Sequence, residues 1–149
     1  MSITVSPLVS SNRSEWEILT REYNAFYMSS KTPAEYELAW TRLTSEDGVH
    51  GLVAENEGRL VGIAHFLFHT STWATKVCYL QDLYTSPNAR GKGVARALIA
   101  AVAQTARTAG ATRFYWLTRE NNAVALVLYE KLAKHNGFIR YEYPLETDA

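Results

Sequence analysis

Residues 88–95 read Asn-Ala-Arg-Gly-Lys-Gly-Val-Ala, and two apolar runs meet at this stretch. Residues 77–85 precede it and are rich in β-branched, aromatic and aliphatic side chains, which predicts a buried strand. Residues 94–109 follow with apolar side chains at helical spacing, and Gly110 stands where helices commonly end. The stretch is therefore predicted to be a tight loop between a strand and a helix.

The composition of this loop is typical of an anion site. Gly91 and Gly93 let the backbone turn sharply and approach a ligand, while the following helix directs its positive dipole end at the same place. Arg90 and Lys92 add two cationic side chains. A pyrophosphate suits this description, and an ordinary strand-to-helix turn with solvated basic residues explains it equally well.

Two common nucleotide-binding motifs do not fit the loop. Gly91-Lys92 is not followed by Ser or Thr and lacks the upstream glycine of a Walker loop. The G-x-G-x-x-G fingerprint is broken by Arg96. A P-loop nucleotidase and a Rossmann dehydrogenase are therefore disfavoured.

The composition of the chain suits one compact domain over residues 1–149, with 47% hydrophobic residues. Fifteen basic residues balance fifteen acidic ones, so we expect small-molecule partners and neither nucleic acid nor a membrane surface. The single Cys78 lies in a predicted core strand, which excludes an internal disulfide and favours a reducing, cytoplasmic location. No apolar run approaches the ~20 residues that span a bilayer, and the N-terminus has no targeting pattern.

The remaining elements follow from periodicity and turn signals. Ser14 and Thr32 each open a capping box before a helical pattern, and Asn121 or Asn122 is placed to cap a later helix. Residues 56–58 indicate a hairpin turn. The predicted strands are 3–6, 50–55, 59–68, 77–85, 113–118 and 138–143, and the predicted helices are 14–28, one from Thr32 to about Leu43, 94–109 and one from Asn122 to about His135.

This order of elements resembles the GNAT superfamily of acyl-CoA-dependent N-acyltransferases over nearly the whole chain. Residues 83–95 resemble the family's strand and pyrophosphate loop. Residues 122–131, which carry Asn122, Leu128 and Tyr129, resemble its second signature, and Gly137-Phe138 follows. The segments 80–84 and 115–118, with Trp73, are most similar to the branch that contains fungal histone and polyamine acetyltransferases.

The resemblance implies a fold, a donor substrate and a set of contacts. The fold is α/β (α+β), with a mixed, mostly antiparallel sheet of six to seven strands, about four helices, and central parallel strands that splay apart at the acyl-CoA site. The donor is acetyl-CoA. Its diphosphate is expected at the loop, its thioester and pantetheine arm along the strand before it, and its arm also at Asn122. The cofactor-binding residues are thus Leu83, Tyr84, Thr85, Arg90, Gly91, Lys92, Gly93, Val94, Ala95 and Asn122.

Acetyl transfer to an amine needs a base and an acid. By resemblance Tyr129 protonates the leaving thiolate, while its spacing alone also fits a tyrosine on the buried face of a helix. Asp82 faces the acceptor amine if the strand alternates regularly, and a buried carboxylate paired with a neighbour is the other interpretation.

Residues of the first two helices are candidates for the acceptor pocket. Glu22 is a second, weaker candidate base, and Tyr23, Tyr27 and Trp40 can frame a cation through their ring faces, although such a stripe is more often core. His65 and His69 share one face of a strand, but no third ligand lies nearby, so no metal site is expected.

The sequence favours an acetyltransferase that acts on a small cationic amine, such as a polyamine or an amino-acid derivative. Acetylation of protein lysines or N-termini is the alternative within the same chemistry. A catalytically silent CoA-binding sensor and an interaction domain are the rival classes. The predicted last strand offers an edge through which a homodimer can form.

Overall fold

A five-stranded sheet organises the first part of the chain in the computed structural model, which describes residues 2–46 and 48–146. The strands lie side by side in chain order; the first four pair antiparallel and the fifth pairs parallel to the fourth. The predicted mixed, mostly antiparallel sheet is confirmed, with five described strands in place of six to seven. They are β1 (Thr4–Pro7), β2 (Val49–Asn56), β3 (Arg59–His69), β4 (Val77–Thr85) and β5 (Arg113–Trp116).

Four helices are described, as the sequence predicts. They are α1 (Arg13–Phe26), α2 (Pro33–Thr44), α3 (Val94–Thr108) and α4 (Ala123–Leu132). Along the described ranges, none of them combines the length and the apolar character needed to cross a bilayer.

One of the two predicted capping boxes forms. Thr32 Oγ1 accepts the Glu35 amide at 3.1 Å, and Glu35 Oε1 accepts the Thr32 amide at 2.9 Å, so α2 begins as predicted. The box predicted from Ser14 is wrong, because α1 already begins at Arg13. A 3₁₀ turn (Ser10–Asn12) leads directly into the helix, so Ser14 lies inside the first helical turn and is not the extended residue that caps a helix.

The described chain divides into two compact units, residues 1–117 and 118–149. The first contains the five described strands with α1, α2 and α3, and the second contains α4. The strand predicted over residues 138–143 is wrong: this segment has no regular secondary structure, and Phe138 and Tyr143 are strongly exposed. A strand needs a hydrogen-bonding partner, and the second unit provides no described strand beside it.

The two faces of the sheet are covered by different helices. Trp16 and Leu19 of α1 and Tyr36 of α2 form a buried cluster with Ile63 of β3. The neighbouring Gly62 points to the opposite face, where side chains from the start of α3 reach it. α1 and α2 therefore pack on one face of the sheet, and α3 packs on the other.

Replacing Gly62 by alanine is expected to lower the free energy of unfolding by about 1–3 kcal/mol, the usual cost of overpacking a core. An added Cβ would lie 2.6 Å from Val94 Cγ1 and 3.0 Å from Leu98 Cδ1, so α3 would have to move away from the sheet. Urea unfolding followed by circular dichroism measures the change. A midpoint equal to that of the unsubstituted protein would contradict this close approach.

Candidate functional site

The connection from β4 to α3 has the glycine-dependent geometry that the sequence predicts. After a 3₁₀ turn (Pro87–Ala89), the backbone passes through Gly91 at φ 76° and Gly93 at φ 86°, both in the left-handed region. A side chain at either position would meet no atom within 4 Å, so backbone conformation, and not lack of space, calls for glycine. The loop is therefore open on the side of its glycines.

The beginning of α3 is suited to an anion. Gly93 is the N-cap residue and no side chain caps the helix, so the amides of Val94 and Ala95 keep their hydrogen-bonding capacity at the positive end of the dipole. The first turn of α3 contains no acidic residue. These amides offer the donors that a diphosphate requires.

The two basic side chains of the loop brace its backbone. Arg90 Nε donates to the Thr85 carbonyl at 3.2 Å, and Lys92 Nζ donates to the Asn88 carbonyl at 3.3 Å. Both residues are exposed, so their charges stand at the open side of the loop. Arg90 also lies 5.5 Å from the ring centre of Tyr84, which ties the loop to the strand before it.

β4 extends beyond the strand that pairs with it. β5 pairs with β4 only from Val77 to Leu80, and β4 continues to Thr85. The pairing of β4 with β3 shifts at the same place, because Phe66 pairs with Leu80 and His65 pairs with Asp82, which leaves Gln81 as a bulge. Past the bulge, one edge of β4 has no strand partner among the described residues.

The direction of the amides along this edge follows from alternation. The Ser86 amide donates to the Val61 carbonyl at 2.8 Å and so points toward β3. The amides of Leu83 and Thr85, at odd spacing from Ser86, therefore point toward the unpaired edge. An unpaired edge next to an anion-binding loop fits acetyl-CoA, since its pantetheine arm contains amides and its diphosphate is an anion.

Asp82 stands in a chain of three hydrogen-bonded side chains. Trp16 Nε1 of α1 lies 3.0 Å from His65 Nε2 of β3, and His65 Nδ1 lies 3.0 Å from Asp82 Oδ2. Trp16 and His65 are buried, whereas the Asp82 side chain is 28% exposed. The carboxylate thus has one oxygen held from inside the protein and reaches solvent.

Aromatic side chains of α1 lie beside this carboxylate on the same face. The Tyr23 ring meets Tyr27 at 5.0 Å and Tyr84 at 6.1 Å between centroids, and the Tyr84 hydroxyl donates to Glu22 Oε1 at 3.1 Å. Burial, followed by the negative charge of Asp82, raises the pKa of Tyr23 above its ordinary value, so its hydroxyl stays a donor. Burial and the hydrogen bond to Glu22 likewise raise the pKa of Tyr84.

The structure separates the predicted substrate residues into two groups. Glu22, Tyr23 and Tyr27 gather near Asp82 and Tyr84. Trp40 instead packs on Trp16 at 5.0 Å between centroids and lies, partly buried, against the buried cluster.

Asn122 and Tyr129 belong to the second unit. Asn122 is the N-cap residue of α4, but its side chain makes no capping hydrogen bond. Tyr129 follows seven positions later, about two helical turns on, which places both residues on one face of α4. Their predicted contacts with acetyl-CoA stay predictions.

The hydrogen bond between His65 and Asp82 is not predictable from a local sequence pattern. The sequence pattern places His65 with His69 on one face of a strand and predicts no contact between His65 and Asp82. His69 instead lies 3.1 Å from the Tyr115 hydroxyl. His65 and Asp82 lie opposite each other because of the register between β3 and β4, including the bulge. No local sequence pattern reveals that register.

Comparisons with known proteins agree with this geometry. The model of the acetyltransferase (GNAT) family matches residues 16–133. A D-amino-acid N-acetyltransferase of Saccharomyces cerevisiae is 31% identical over 144 residues, which cover 94% of this chain and 89% of that protein. A thialysine N-epsilon-acetyltransferase of Caenorhabditis elegans is 32% identical over 98 residues, which cover 62% of this chain and 61% of that protein.

A solved structure of the same fold extends the comparison. The structure of AAC(6′)-Iy with the bisubstrate analogue CoA-S-monomethyl-acetylneamine has a TM-score of 0.87 at 16% identity, and covers 99% of this chain and 100% of that one. At this identity the likeness concerns the fold. Taken with the family match and the yeast relative, it confirms the predicted resemblance: the chain belongs to the GNAT family and is an acetyl-CoA-dependent acyltransferase.

Proposed function

We propose that the protein transfers an acetyl group from acetyl-CoA to the primary amine of a small cationic molecule, by direct attack in a ternary complex. The observation that carries this proposal is the anchored carboxylate of Asp82 beside the rings of Tyr23 and Tyr84. A carboxylate attracts an ammonium group, and ring faces stabilise a cation. Glu22 adds a second acidic side chain to the same face.

Acetyl-CoA supplies the activated acetyl group as a thioester. Gly91, Gly93 and the first amides of α3 hold the diphosphate, with Arg90 and Lys92 as nearby cations. The outward amides of Leu83 and Thr85 bind the thioester carbonyl and the pantetheine arm, and they act as an oxyanion hole. Asn122 contributes a side-chain contact to the arm.

Two proton transfers complete the reaction. An alkyl ammonium with a pKa near 10.4 is uncharged in about one molecule in a few thousand at pH 7, so Asp82 accepts a proton from it. Tyr129 donates a proton to the departing thiolate, whose pKa is about 8.5.

The names of the relatives support an amine of low molecular mass. One relative is named a D-amino-acid N-acetyltransferase and another a thialysine N-epsilon-acetyltransferase. We therefore expect amino-acid derivatives and polyamines as acceptors before protein lysines or N-termini.

Three further expectations accompany this function. The family match runs from residue 16 to residue 133, across the boundary between the two units, which supports a single domain over residues 1–149. The buried thiol of Cys78 is compatible with the cytoplasm. We also propose that the protein forms a homodimer and that its reaction involves no metal, no nucleic acid and no membrane.

A screen of amines with detection of free thiol tests the function. Polyamines, amino acids of both configurations and a lysine-containing peptide are each offered with acetyl-CoA. Burial raises the pKa of Cys78 to about 11, so the protein's own thiol contributes little background. Thiol release with small cationic amines is expected. Release only with the peptide favours the protein-acetylating alternative, and CoA binding without any release favours the sensor.

Replacing Gly93 by aspartate is expected to weaken CoA binding about tenfold more than replacing it by asparagine. Both side chains tolerate the left-handed conformation and cap helices well, so the pair differs in charge alone. The aspartate would place a negative charge where the diphosphate binds. Isothermal titration with CoA measures both variants, and equal affinities would argue against a diphosphate at this helix end.

A further inference from the structure

The chain of hydrogen bonds from Trp16 to Asp82 fixes the state of the histidine between them. An indole nitrogen can only donate, so His65 Nε2 must accept the hydrogen bond of 3.0 Å from Trp16. A neutral imidazole that accepts at Nε2 has its proton at Nδ1. His65 Nδ1–H then donates to Asp82 Oδ2 at 3.0 Å.

Protonating His65 would break this arrangement. A proton on His65 Nε2 would face the N–H of Trp16, and both groups are buried, with exposures of 7% and 1%. Without the indole donor, the negative charge of Asp82 would favour a second proton on the His65 imidazole. The resulting ion pair of histidinium and carboxylate would have no net charge. The Trp16 N–H therefore opposes the formation of a histidinium beside the carboxylate.

We propose that Trp16, acting through His65, is a positioning residue that keeps the Asp82 site at a net charge of minus one and thereby selects cationic acceptors. This inference rests on the proposed function, in which Asp82 receives the amine. Oδ2 is bonded to His65 and the carboxylate also has a hydrogen bond with Tyr23, so in this scheme the amine binds Asp82 beside the Tyr23 hydroxyl. Trp16 and His65 touch neither the amine nor acetyl-CoA in this scheme.

The same arrangement determines where the amine proton goes. An N–H bond of the ammonium breaks, its electron pair stays on nitrogen for attack, and the proton forms an O–H bond on Asp82. His65 cannot take this proton further, because its only lone pair is already bound by Trp16. Asp82 returns the proton to water on its exposed side, where 28% of the side chain is accessible.

Other titratable groups stand around this chain. Tyr23 of α1 faces Asp82, and Tyr36 of α2 packs edge-on against Trp16 at 6.5 Å between centroids. Arg13 lies 5.7 Å from the Trp16 ring and is paired with Glu17 and Glu37. Since its charge is balanced by these partners, Arg13 does not replace the role of the indole.

The first test reads the tautomer in the unsubstituted full chain. A long-range ¹H–¹⁵N correlation spectrum distinguishes a protonated from an unprotonated ring nitrogen. His65 is expected to be neutral at pH 7 with its proton on Nδ1. A proton on Nε2, or an imidazolium at pH 7, would overturn the proposal.

The second test compares Trp16→Phe with Tyr36→Phe. The first variant removes the donor to His65 and keeps an aromatic ring, while the second removes a hydroxyl from the same cluster, where it accepts from Asn24 at 3.0 Å. Trp16→Phe is expected to raise KM for a cationic amine about tenfold at pH 6, relative to the unsubstituted protein at that pH, and less than twofold at pH 8.5. Tyr36→Phe is expected to show no such pH-dependent ratio.

The outcomes separate this inference from the proposed function. If both variants give the same KM ratios at both pH values, or Trp16→Phe gives a ratio that does not change with pH, Trp16 is merely structural and the inference is wrong. If Trp16→Phe does not fold, the spectrum of the unsubstituted protein still decides whether His65 has the tautomer that the inference requires. If no amine is acetylated, the proposed function fails, and the spectrum alone shows whether the tautomer is held.

Discussion

Asp82→Asn is expected to lower kcat/KM for a cationic amine by roughly 10²–10⁴-fold, the usual contribution of a general base. Asparagine has nearly the shape of aspartate, and its carbonyl oxygen can still accept from His65 Nδ1, now 3.0 Å from Asp82 Oδ2. The substitution thus removes the charge and the proton acceptor while the chain from Trp16 stays in place. The loss is expected in kcat and also in KM, because the carboxylate both accepts the proton and attracts the ammonium.

Steady-state kinetics with free-thiol detection measures this change, and titration with CoA shows whether the donor site is intact. CoA affinity is expected to change less than twofold, since the loop from Arg90 to Val94 does not contact Asp82 in the described hydrogen bonds. Glu55→Gln is the matched control, because it removes one partly buried carboxylate from β2, at a position that pairs with Thr4 of β1 and Leu60 of β3 and not with β4. A decrease smaller than about threefold for Asp82→Asn would assign the base to water or to Glu22.

Local patterns predicted the elements that are stabilised by local interactions. The strand and helix on either side of residues 88–95 formed as expected, because glycines in left-handed conformations and an apolar stripe suffice to specify them. The capping box at Thr32 formed for the same reason: its two hydrogen bonds join residues three apart. The box at Ser14 does not form, because a 3₁₀ turn leads directly into α1 and the helix begins before Ser14. The helical pattern of apolar residues does not reveal this turn.

Features that depend on distant residues were not predictable in this way. Residues 138–143 have strand-like composition, but a strand exists only where a partner offers backbone groups. The pair His65 and Asp82 is seventeen residues apart and needs the bulge at Gln81 to bring both side chains to one face. The single residue at the bulge therefore determines whether Asp82 faces α1, and a strand with regular pairing through this point would turn it away.

Tyr129→Phe is expected to lower kcat by about 10²-fold, which corresponds to about 2.7 kcal/mol of transition-state stabilisation. A thiolate with a pKa of about 8.5 leaves more readily when it is protonated, and the phenylalanine ring keeps the shape of tyrosine without the proton. The amine and CoA are bound before this step, so KM for the amine and the affinity for CoA are expected to change less than twofold. Asp82→Asn, in contrast, is expected to affect both kcat and KM.

Tyr141→Phe is the matched control for this substitution, because it removes the same hydroxyl from an exposed tyrosine of the second unit. Single-turnover kinetics at saturating acetyl-CoA, compared between the two variants, isolates the chemical step from product release. An unchanged rate for Tyr129→Phe in an otherwise active protein would mean that water protonates the thiolate. If all variants bind CoA with equal affinity and none releases thiol, the protein is a sensor. The phenol gives up its proton after binding is complete, so its removal affects catalysis and leaves binding unchanged.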